Sequence, residues 1–448
     1  MDKKIELKIK EWVDENRDFL IDELKQFIRI PSLTGYEGEA QKFIKSQYEK
    51  LGMEVDVFEP DIKELFEKYP EVAQFPTSHE PELELIIDTP DICTYELWQN
   101  SGYADKLNYI DRPNVVGTLK GTGGGRSLIL NGHVDNVTIG DLKMWNYDPF
   151  GAEQVDSKIY GRGTSDMKGG LLACVKALQA LQAIGVKLSG DVICESVVNE
   201  EHAGNGTLAC VMKGYTADAA ICADGGTWIA TETGGGVYWR IKVHGRECHT
   251  GGRWREGKMY AVSAIEKAAL IINSLCEMER EVNKDGVRLS LGIGTIEGGA
   301  YATSTARECT ILGGIYFSAK MGTGEDGIIA VKNLIRDAVD KVVQKDEWLL
   351  ENKPEISFPH YDDAYVCPKD TELLPVMLSA GEDMLGRKLY VGSSSACDVR
   401  HLGNQGNIPS VMCGPGNGPV HAPNEYIDVE DYLKYIKFLA LTVYRWCK

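Results

Sequence analysis

The chain has 448 residues, of which 26% are charged and 43% hydrophobic, the composition of an ordinary globular protein of one or two domains. Its 67 acidic side chains outnumber its 48 basic ones, and the formal net charge is -19. Such an acidic chain repels nucleic acid and anionic lipid, so we expect neither a nucleic-acid partner nor a membrane partner.

The cysteines and the N-terminus bear on the compartment. Twelve cysteines are scattered along the chain, and no two of them form a CxxC pair. Unpaired thiols survive best where the surroundings are reducing. No apolar segment follows Met1 as a secretion signal would, and no stretch reaches membrane-spanning length. These features predict a cytoplasmic protein.

The first half of the chain alternates helices with short strands. Amphipathic helices are predicted over 12–30 and 40–51, whereas the proline-rich stretch 61–112 is predicted to be irregular and receives no chemical role. Buried strands near 128–130, 192–198 and 219–221 then enclose a predicted helix, a pattern typical of an α/β sheet. Ligands in such sheets collect where strands end, and there the chain carries His133, Glu200, Glu201 and Asp224.

The hydrophobic pattern changes at about residue 236 and changes back near residue 350. Strict alternation of apolar with other residues, as in Val237, Trp239, Ile241 and Val243, indicates antiparallel strands with one solvent-exposed face. Strands and helices follow in the order strand, helix, strand, strand, helix. We therefore predict a separate domain over 236–349, inserted into a catalytic domain formed by 1–235 and 350–448.

Polar side chains near the predicted strand ends have both a structural and a chemical interpretation. His133 and Asp135 lie on the same side of an extended segment, yet a histidine at a strand end is more often structural than metal-binding. Of the adjacent Glu200 and Glu201, one can bind a metal while the other accepts a proton, although acidic pairs are also common in solvated turns. Asp166 precedes a predicted helix, where capping is the commoner role.

Several spaced motifs in one order decide between these interpretations more strongly than any single motif does. They are Asn131-Gly132-His133-Val134-Asp135, Trp145 with Asp148-Pro149-Phe150-Gly151, Tyr160-Gly161-Arg162-Gly163 with Asp166-Met167-Lys168-Gly169-Gly170, Asn199-Glu200-Glu201 with Gly204 and Gly206-Thr207, and Gly414-Pro415-Gly416 with His421-Ala422-Pro423-Asn424-Glu425-Tyr426. The chain in this respect resembles the M20 zinc peptidase and deacylase family, which includes acetylornithine deacetylase, succinyl-diaminopimelate desuccinylase, aminoacylase and carboxypeptidase G2.

The resemblance implies the fold and a metal centre. The fold is α/β: a zinc-peptidase-like catalytic domain with a mixed sheet flanked by helices, and an inserted α+β, ferredoxin-like domain for dimerisation and closure. The centre holds two zinc ions per subunit, or cobalt or manganese. Asp166 is implied to bridge both ions, His133 and Asp224 to bind one, and Glu201 and His421 to bind the other.

The resemblance also implies roles for four further residues. Glu200 is the expected general base, and Asp135 is expected to accept the other ring N–H of His133. His249, in the inserted domain, is expected to help stabilise the oxyanion across a homodimer. Arg400 is expected to pair with a substrate carboxylate. A cis peptide bond is implied after Asp166.

Three functions remain open at this point. The leading hypothesis is a metal-dependent hydrolase that removes the acyl group from N-acyl amino acids, like acetylornithine deacetylase. The second is an exopeptidase acting on dipeptides or tripeptides. The third is a non-catalytic protein that keeps the metal pocket as a ligand sensor, although Glu200 and all five implied ligands are present.

Overall fold

The structure, a computed structural model, describes residues 2–77 and 94–448. Its longer helices form where apolar residues recur at intervals of three and four, as Tyr432, Leu433, Tyr435 and Ile436 do in the buried C-terminal helix. The α-helices of the described residues are α1 Asp2–Glu15, α2 Arg17–Ile28, α3 Gly38–Lys50, α4 Ile62–Lys68, α5 Tyr95–Asn100, α6 Gly169–Ala183, α7 Asn205–Lys213, α8 Ala264–Lys284, α9 Gly324–Val343, α10 Glu347–Glu351, α11 Leu373–Leu385 and α12 Val429–Cys447.

Strands form three larger units and one short hairpin among the described residues. They are β1 Glu54–Phe58, β2 Asn114–Leu119, β3 Leu128–His133, β4 Glu153–Val155, β5 Lys158–Tyr160, β6 Val192–Val197, β7 Ala220–Cys222, β8 Ile229–Thr233, β9 Gly235–His244, β10 Trp254–Arg255, β11 Lys258–Met259, β12 Leu289–Gly298, β13 Glu308–Phe317, β14 Glu355–Asp362, β15 Tyr365–Val366, β16 Val391–Ser394, β17 Ser410–Met412 and β18 Tyr426–Asp428.

The large sheet has the order β1-β2-β6-β3-β7-β17-β8-β15, with β16 also paired to β8. Strands β6, β3, β7 and β17 run parallel to one another, whereas β1, β2 and β8 join antiparallel. Leu128 and Leu130 face the main core beside α6 and α12, and Ile129 faces a second core with Cys210 of α7. The expected mixed sheet flanked by helices is thus confirmed.

The small sheet is antiparallel throughout and has the order β12-β13-β9-β14. The alternating residues Val237, Trp239, Ile241 and Val243 are fully buried against α8 and α9, as the sequence pattern predicts. Strand β14 lies beyond 349, where we predicted the inserted domain to end. Pro359 interrupts its alternation, and the pairing with β9 shifts register there, so the pattern did not identify this strand.

Two further observations bear on the expected environment. Within the described ranges, no helix combines the length and apolar character needed to cross a membrane. The eleven cysteines found there are all free thiols, and most are buried. Cys93 lies outside the described residues.

Candidate metal centre

The large sheet brings the candidate ligands to one edge. Strands β6, β3 and β7 are parallel neighbours, so their carboxyl ends lie side by side. His133 is the last residue of β3, Glu200 and Glu201 follow β6, and Asp224 follows β7. Asp166 comes from the turn that leads into α6. Sequence reasoning predicted this convergence from the strand ends.

Three of the predicted ligands form a compact group. His133, Asp166 and Glu201 each offer one ligand atom, and these atoms lie within 4.8 Å of one another. The carboxylate of Asp166 reaches two histidines at once, with Oδ1 3.1 Å from Nε2 of His133 and Oδ2 3.2 Å from Nε2 of His421. Nε2 of His421 also lies 2.8 Å from Oε2 of Glu201. Asp166 therefore contacts both of the histidines that we expect to bind different metal ions.

Asp224 is placed at the same edge but outside this group of three. Its carboxylate accepts a hydrogen bond from the backbone N–H of Gly225. Burial, and then the charge of Asp166, raises the pKa of Asp224 to about 7. Asp224 is thus close enough to Asp166 for the charge of Asp166 to raise its pKa. The role of Asp224 as a metal ligand stays a prediction.

The charges of the group fit a divalent cation. Burial and the neighbouring Asp166 raise the pKa of Glu201 to about 7, because carboxylates removed from water repel one another's charge. The hydrogen bonds of His421 to Asp166 and Glu201 raise its pKa to about 11. A bound cation would offset the same buried negative charge. Imidazole nitrogens with carboxylate oxygens are a donor set that suits zinc, manganese or cobalt.

Glu200 lies beside the group. Its Oε2 is 3.6 Å from Nε2 of His133, and its side chain is only 11% exposed. Burial raises the pKa of Glu200 well above its usual value, and nearby carboxylates add to the rise against the opposing effect of His133. A shielded carboxylate next to a cation site is suited to accept a proton from water.

Asp135 contacts different atoms from those expected. Nδ1 of His133 is 3.0 Å from the backbone oxygen of Asp135 and 3.6 Å from its carboxylate. The carboxylate instead accepts hydrogen bonds from the backbone N–H groups of Glu200 and Glu201 and from the hydroxyl of Thr34. Asp135 therefore holds the loop that carries the expected base and one expected ligand.

Glu425 contacts the segment that carries Asp166, a contact that sequence reasoning missed. It is fully buried and accepts hydrogen bonds from the backbone N–H groups of Ser165 and Asp166, at 2.9 and 3.2 Å. Its other oxygen pairs with Arg162 at 2.6 Å. Both Arg162 and Glu425 stand in the quoted motifs, but their partners are far apart in sequence. The Asp166–Met167 peptide bond that follows is cis, as the resemblance implied.

The stretch 61–112, to which we assigned no chemistry, supports the same loop. The amide oxygen of Asn199 accepts hydrogen bonds from the hydroxyl of Tyr109, at 2.8 Å, and from the backbone of Thr77. The backbone N–H of Gln74 donates a hydrogen bond to the side-chain oxygen of Asn205, and the backbone carbonyl of Gln74 accepts one from the side-chain N–H of Asn205. No pattern in this irregular stretch pointed to these contacts, because each depends on one side chain.

The predicted roles of Arg400 and His249 stay predictions. Arg400 is buried, and its guanidinium lies 2.9 Å from Asp362 and 3.3 Å from Asp363. His249 is exposed in the loop after β9, where its Nδ1 accepts a hydrogen bond from Gly251. In the part of the chain that the structure describes, no contact joins His249 to the group of three.

Comparison with known proteins gives one family. A model of the family described as peptidase family M20/M25/M40 matches residues 129–445. The chain is 32% identical to an N-formyl-4-amino-5-aminomethyl-2-methylpyrimidine deformylase of Bacillus subtilis (strain 168), over 78% of this chain and 88% of the relative. It is 26% identical to a probable succinyl-diaminopimelate desuccinylase of Staphylococcus aureus (strain MRSA252), over 77% of this chain and 90% of that one.

Solved structures share the fold at lower identity. The dipeptidase Dug1p of Saccharomyces cerevisiae matches with a TM-score of 0.72 at 16% identity, covering 100% of this chain and 99% of its own. Aminopeptidase PepT of Bacillus cereus matches with a TM-score of 0.69 at 19% identity, and the match covers 97% of this chain and 99% of the PepT chain. At these identities the likeness supports the fold alone.

Proposed function

The chain belongs to peptidase family M20/M25/M40, and from that premise we propose that it hydrolyses the amide bond of a small N-acylated amine or amino acid. It is a hydrolase of a metal-dependent family whose members act on N-acyl or peptide substrates. The observation that carries the proposal is the placement of Glu200, a shielded carboxylate 3.6 Å from His133 and beside the candidate metal ligands.

The ligand set proposed for the metals is the one that the family resemblance implies. His133 and Asp224 would hold one ion, Glu201 and His421 would hold the other, and Asp166 would be shared between them; the grouping of His133, Asp166 and Glu201 supports this proposal. We propose zinc at two ions per subunit, with cobalt or manganese as alternatives. When bound, such ions supply positive charge that polarises an amide carbonyl and lowers the pKa of water.

The proton path runs through Glu200. Its carboxylate accepts a proton as the oxygen of water bonds to the carbonyl carbon, and returns that proton to the nitrogen as the carbon–nitrogen bond breaks. The products are a carboxylic acid and a free amine. Asp135 contributes by fixing the backbone of Glu200 and Glu201 through two hydrogen bonds.

The acyl group and the amine are the finer part of the proposal. N-acyl amino acids are the substrates suggested by the desuccinylase-like relatives. The more similar relative is named for removing a formyl group from an amine that carries a pyrimidine ring. Arg400 already pairs with two carboxylates of the chain, Asp362 and Asp363, so a substrate carboxylate would have to share its guanidinium. A carboxylate on the substrate is therefore not required by the proposal, and N-formyl and N-acetyl amines have equal place in it.

Oligomeric state and location complete the proposal. We propose a homodimer in which His249 of one subunit completes the site of the other, and a cytoplasmic location in keeping with the free thiols. Both rest on the family resemblance and on composition.

A substrate panel tests the function. Protein stripped with a chelator and reloaded with zinc, cobalt or manganese is assayed on N-acetyl amino acids, N-formyl amines and dipeptides. We expect metal-dependent release of acetate or formate and slower or no dipeptide cleavage. Rapid dipeptide cleavage without release of acetate or formate from the N-acyl substrates would favour the exopeptidase. Inactivity on every substrate with metal bound would favour the ligand sensor.

A further inference from the structure

The outer face of the small sheet has a cavity whose walls are aromatic. Register across the four strands places Gly292, Gly314, Tyr238 and His360 in one row, and Ser290 beside Tyr316 in the next. The opposite face packs on helices, so these side chains point away from the core. We call the cavity formed by Tyr238, Tyr316, Leu312, Gly292 and Gly314 the tyrosine pocket; its volume is about 490 Å³.

Two tyrosines form one wall of the pocket. The rings of Tyr238 and Tyr316 lie nearly perpendicular, with centroids 6.3 Å apart and hydroxyl oxygens 3.0 Å apart. Tyr316 is 49% exposed. Aromatic rings pair best edge to face or offset at such centroid distances, so a third ring could pack against this pair.

The floor of the pocket is peptide backbone. A Cβ at Gly292 would meet nothing nearer than the carbonyl of Gly314 at 3.8 Å, and a Cβ at Gly294 nothing nearer than that of Leu312 at 3.5 Å. The described lining residues carry no charged side chain. A flat, uncharged floor beside two rings favours a planar, uncharged ligand over an anion or a branched aliphatic group.

The pocket continues toward the large sheet. A second cavity of about 530 Å³ shares Ser290 and Tyr316 with it and extends to Trp228 and to Ser393, Ser394 and Ser395 at the end of β16. The second cavity is thus lined by residues of both sheets. The tyrosine pocket therefore opens into the gap between the two sheets.

Side-chain contacts give a second connection along β14. The ring of His360 lies 4.7 Å from that of Tyr238, and Nε2 of His360 is 3.1 Å from Asp362. Asp362 in turn pairs with Arg400 of the catalytic part. Tyr238 in the pocket wall thus packs against β14, whose Asp362 pairs with Arg400.

We propose that the tyrosine pocket binds a planar aromatic or heteroaromatic ring carried by the amine part of the substrate. This rests on the proposed function, because ring and amide must belong to one molecule. It names the substrate class: N-acylated amines with a flat, uncharged ring. A ring stacked against Tyr238 or Tyr316 improves binding by about two- to tenfold over a saturated ring of similar size.

Hydrolysis of a matched substrate pair tests the proposal. For wild-type metal-loaded protein, kcat/KM for N-formylbenzylamine should exceed that for N-formyl(cyclohexylmethyl)amine by about two- to tenfold. Gly292→Val fills the open space above the floor without a clash, and Tyr316→Leu removes one ring; both should abolish the preference. Tyr316→Phe should keep it. Thr310→Val, on the same face but outside the pocket lining, is the matched control.

A binding measurement separates the two proposals. Saturation-transfer NMR compares benzamide with cyclohexanecarboxamide on the holoprotein, without turnover. We expect contact with benzamide that Gly292→Val and Tyr316→Leu remove and Tyr316→Phe retains. Benzamide contact that all variants share, or equal contact for both amides, would overturn the pocket assignment. Pocket-dependent benzamide contact with no hydrolysis of either formamide or of any N-acyl substrate in the panel would overturn the proposed function instead.

Discussion

Glu200 and Glu201 are neighbours in sequence but face different chemistry. Glu201 contacts His421 at 2.8 Å within the candidate metal site, whereas Glu200 stands beside His133 at 3.6 Å. The hydrogen bonds from their backbone N–H groups to Asp135 fix this division. The assignment of base and ligand to adjacent glutamates therefore has a local structural cause.

Substitution of the base should separate chemistry from metal binding. Glu200→Gln keeps the shape of the side chain but cannot accept a proton, so we expect kcat to fall by about 100- to 10,000-fold while metal content is unchanged. Elemental analysis and steady-state kinetics measure the two quantities. Glu247→Gln, at an exposed position, is the control. An unchanged kcat for Glu200→Gln would refute the assigned role.

Glu195 is a buried carboxylate that affects how stability depends on pH. It is fully buried in β6 and accepts one hydrogen bond, from Asn131 at 3.0 Å, while its other oxygen has no partner. Burial raises the pKa of Glu195 to about 7. The folded protein thus holds a proton that the unfolded chain releases near pH 4.5, so this group lowers the free energy of unfolding as pH rises from 4.5 to about 7.

Replacing Glu195 should remove that pH dependence. Glu195→Gln can accept from Asn131 and does not ionise, so relative to wild type it should gain on the order of 3 kcal/mol of stability between pH 5 and pH 8. Urea unfolding at both pH values measures the gain. Glu153→Gln, on an exposed edge of the sheet, should show none. Parallel stability curves for wild type and Glu195→Gln would contradict the prediction.

At the scale of elements, β14 is tied to the loop that follows Glu201. Gln74 donates hydrogen bonds to the carbonyls of Tyr361 and Ala203 and accepts one from the backbone N–H of Tyr361. Arg400, which pairs with Asp362, also approaches the carbonyl of Ala203, at 3.5 Å. The side chains of Gln74 and Arg400, from different segments of the chain, thus meet at the carbonyl group of Ala203.

Loss of the Gln74 contacts should destabilise this junction. Gln74→Met keeps the volume but removes the hydrogen bonds that the Gln74 side chain makes to the buried backbone of Tyr361 and to the carbonyl of Ala203, so we expect the free energy of unfolding to fall by about 3 kcal/mol. Urea denaturation provides the measurement. Gln154→Met, at an exposed position, should change stability by less than about 0.5 kcal/mol. Equal effects for the two variants would show that the junction contributes no stability.

The same elements show what sequence could predict. Strand ends after Val197 and Cys222 were visible as short apolar runs, and parallel pairing then brings their following carboxylates together. Gln74 and Glu425 could not be found this way, because each acts through hydrogen bonds to residues more than a hundred positions away. Asp135 was identified, but the choice between its carboxylate and its backbone oxygen as partner of His133 depends on distances of tenths of an ångström.

At the scale of the whole molecule, the two sheets carry different candidate sites. The large sheet carries the candidate metal ligands, and the small sheet carries the tyrosine pocket and His249. His249 is exposed within one chain and has no contact with the described metal group. If it acts in the reaction, it must reach a site by closure of its own chain or by contact with a second copy.

Mixing two inactive variants distinguishes these routes. His249→Ala lacks the proposed oxyanion donor, and Glu200→Gln lacks the base, so we expect each to be nearly inactive alone. In a dimer of one copy of each, a site that combines Glu200 of the first with His249 of the second is complete. Since half of randomly mixed dimers are mixed and each has one complete site, activity should recover to about a quarter of wild type. Light scattering confirms dimers before the assay. No recovery from an exchanged dimer would place His249 in its own site, and a monomer would exclude the contribution from a partner.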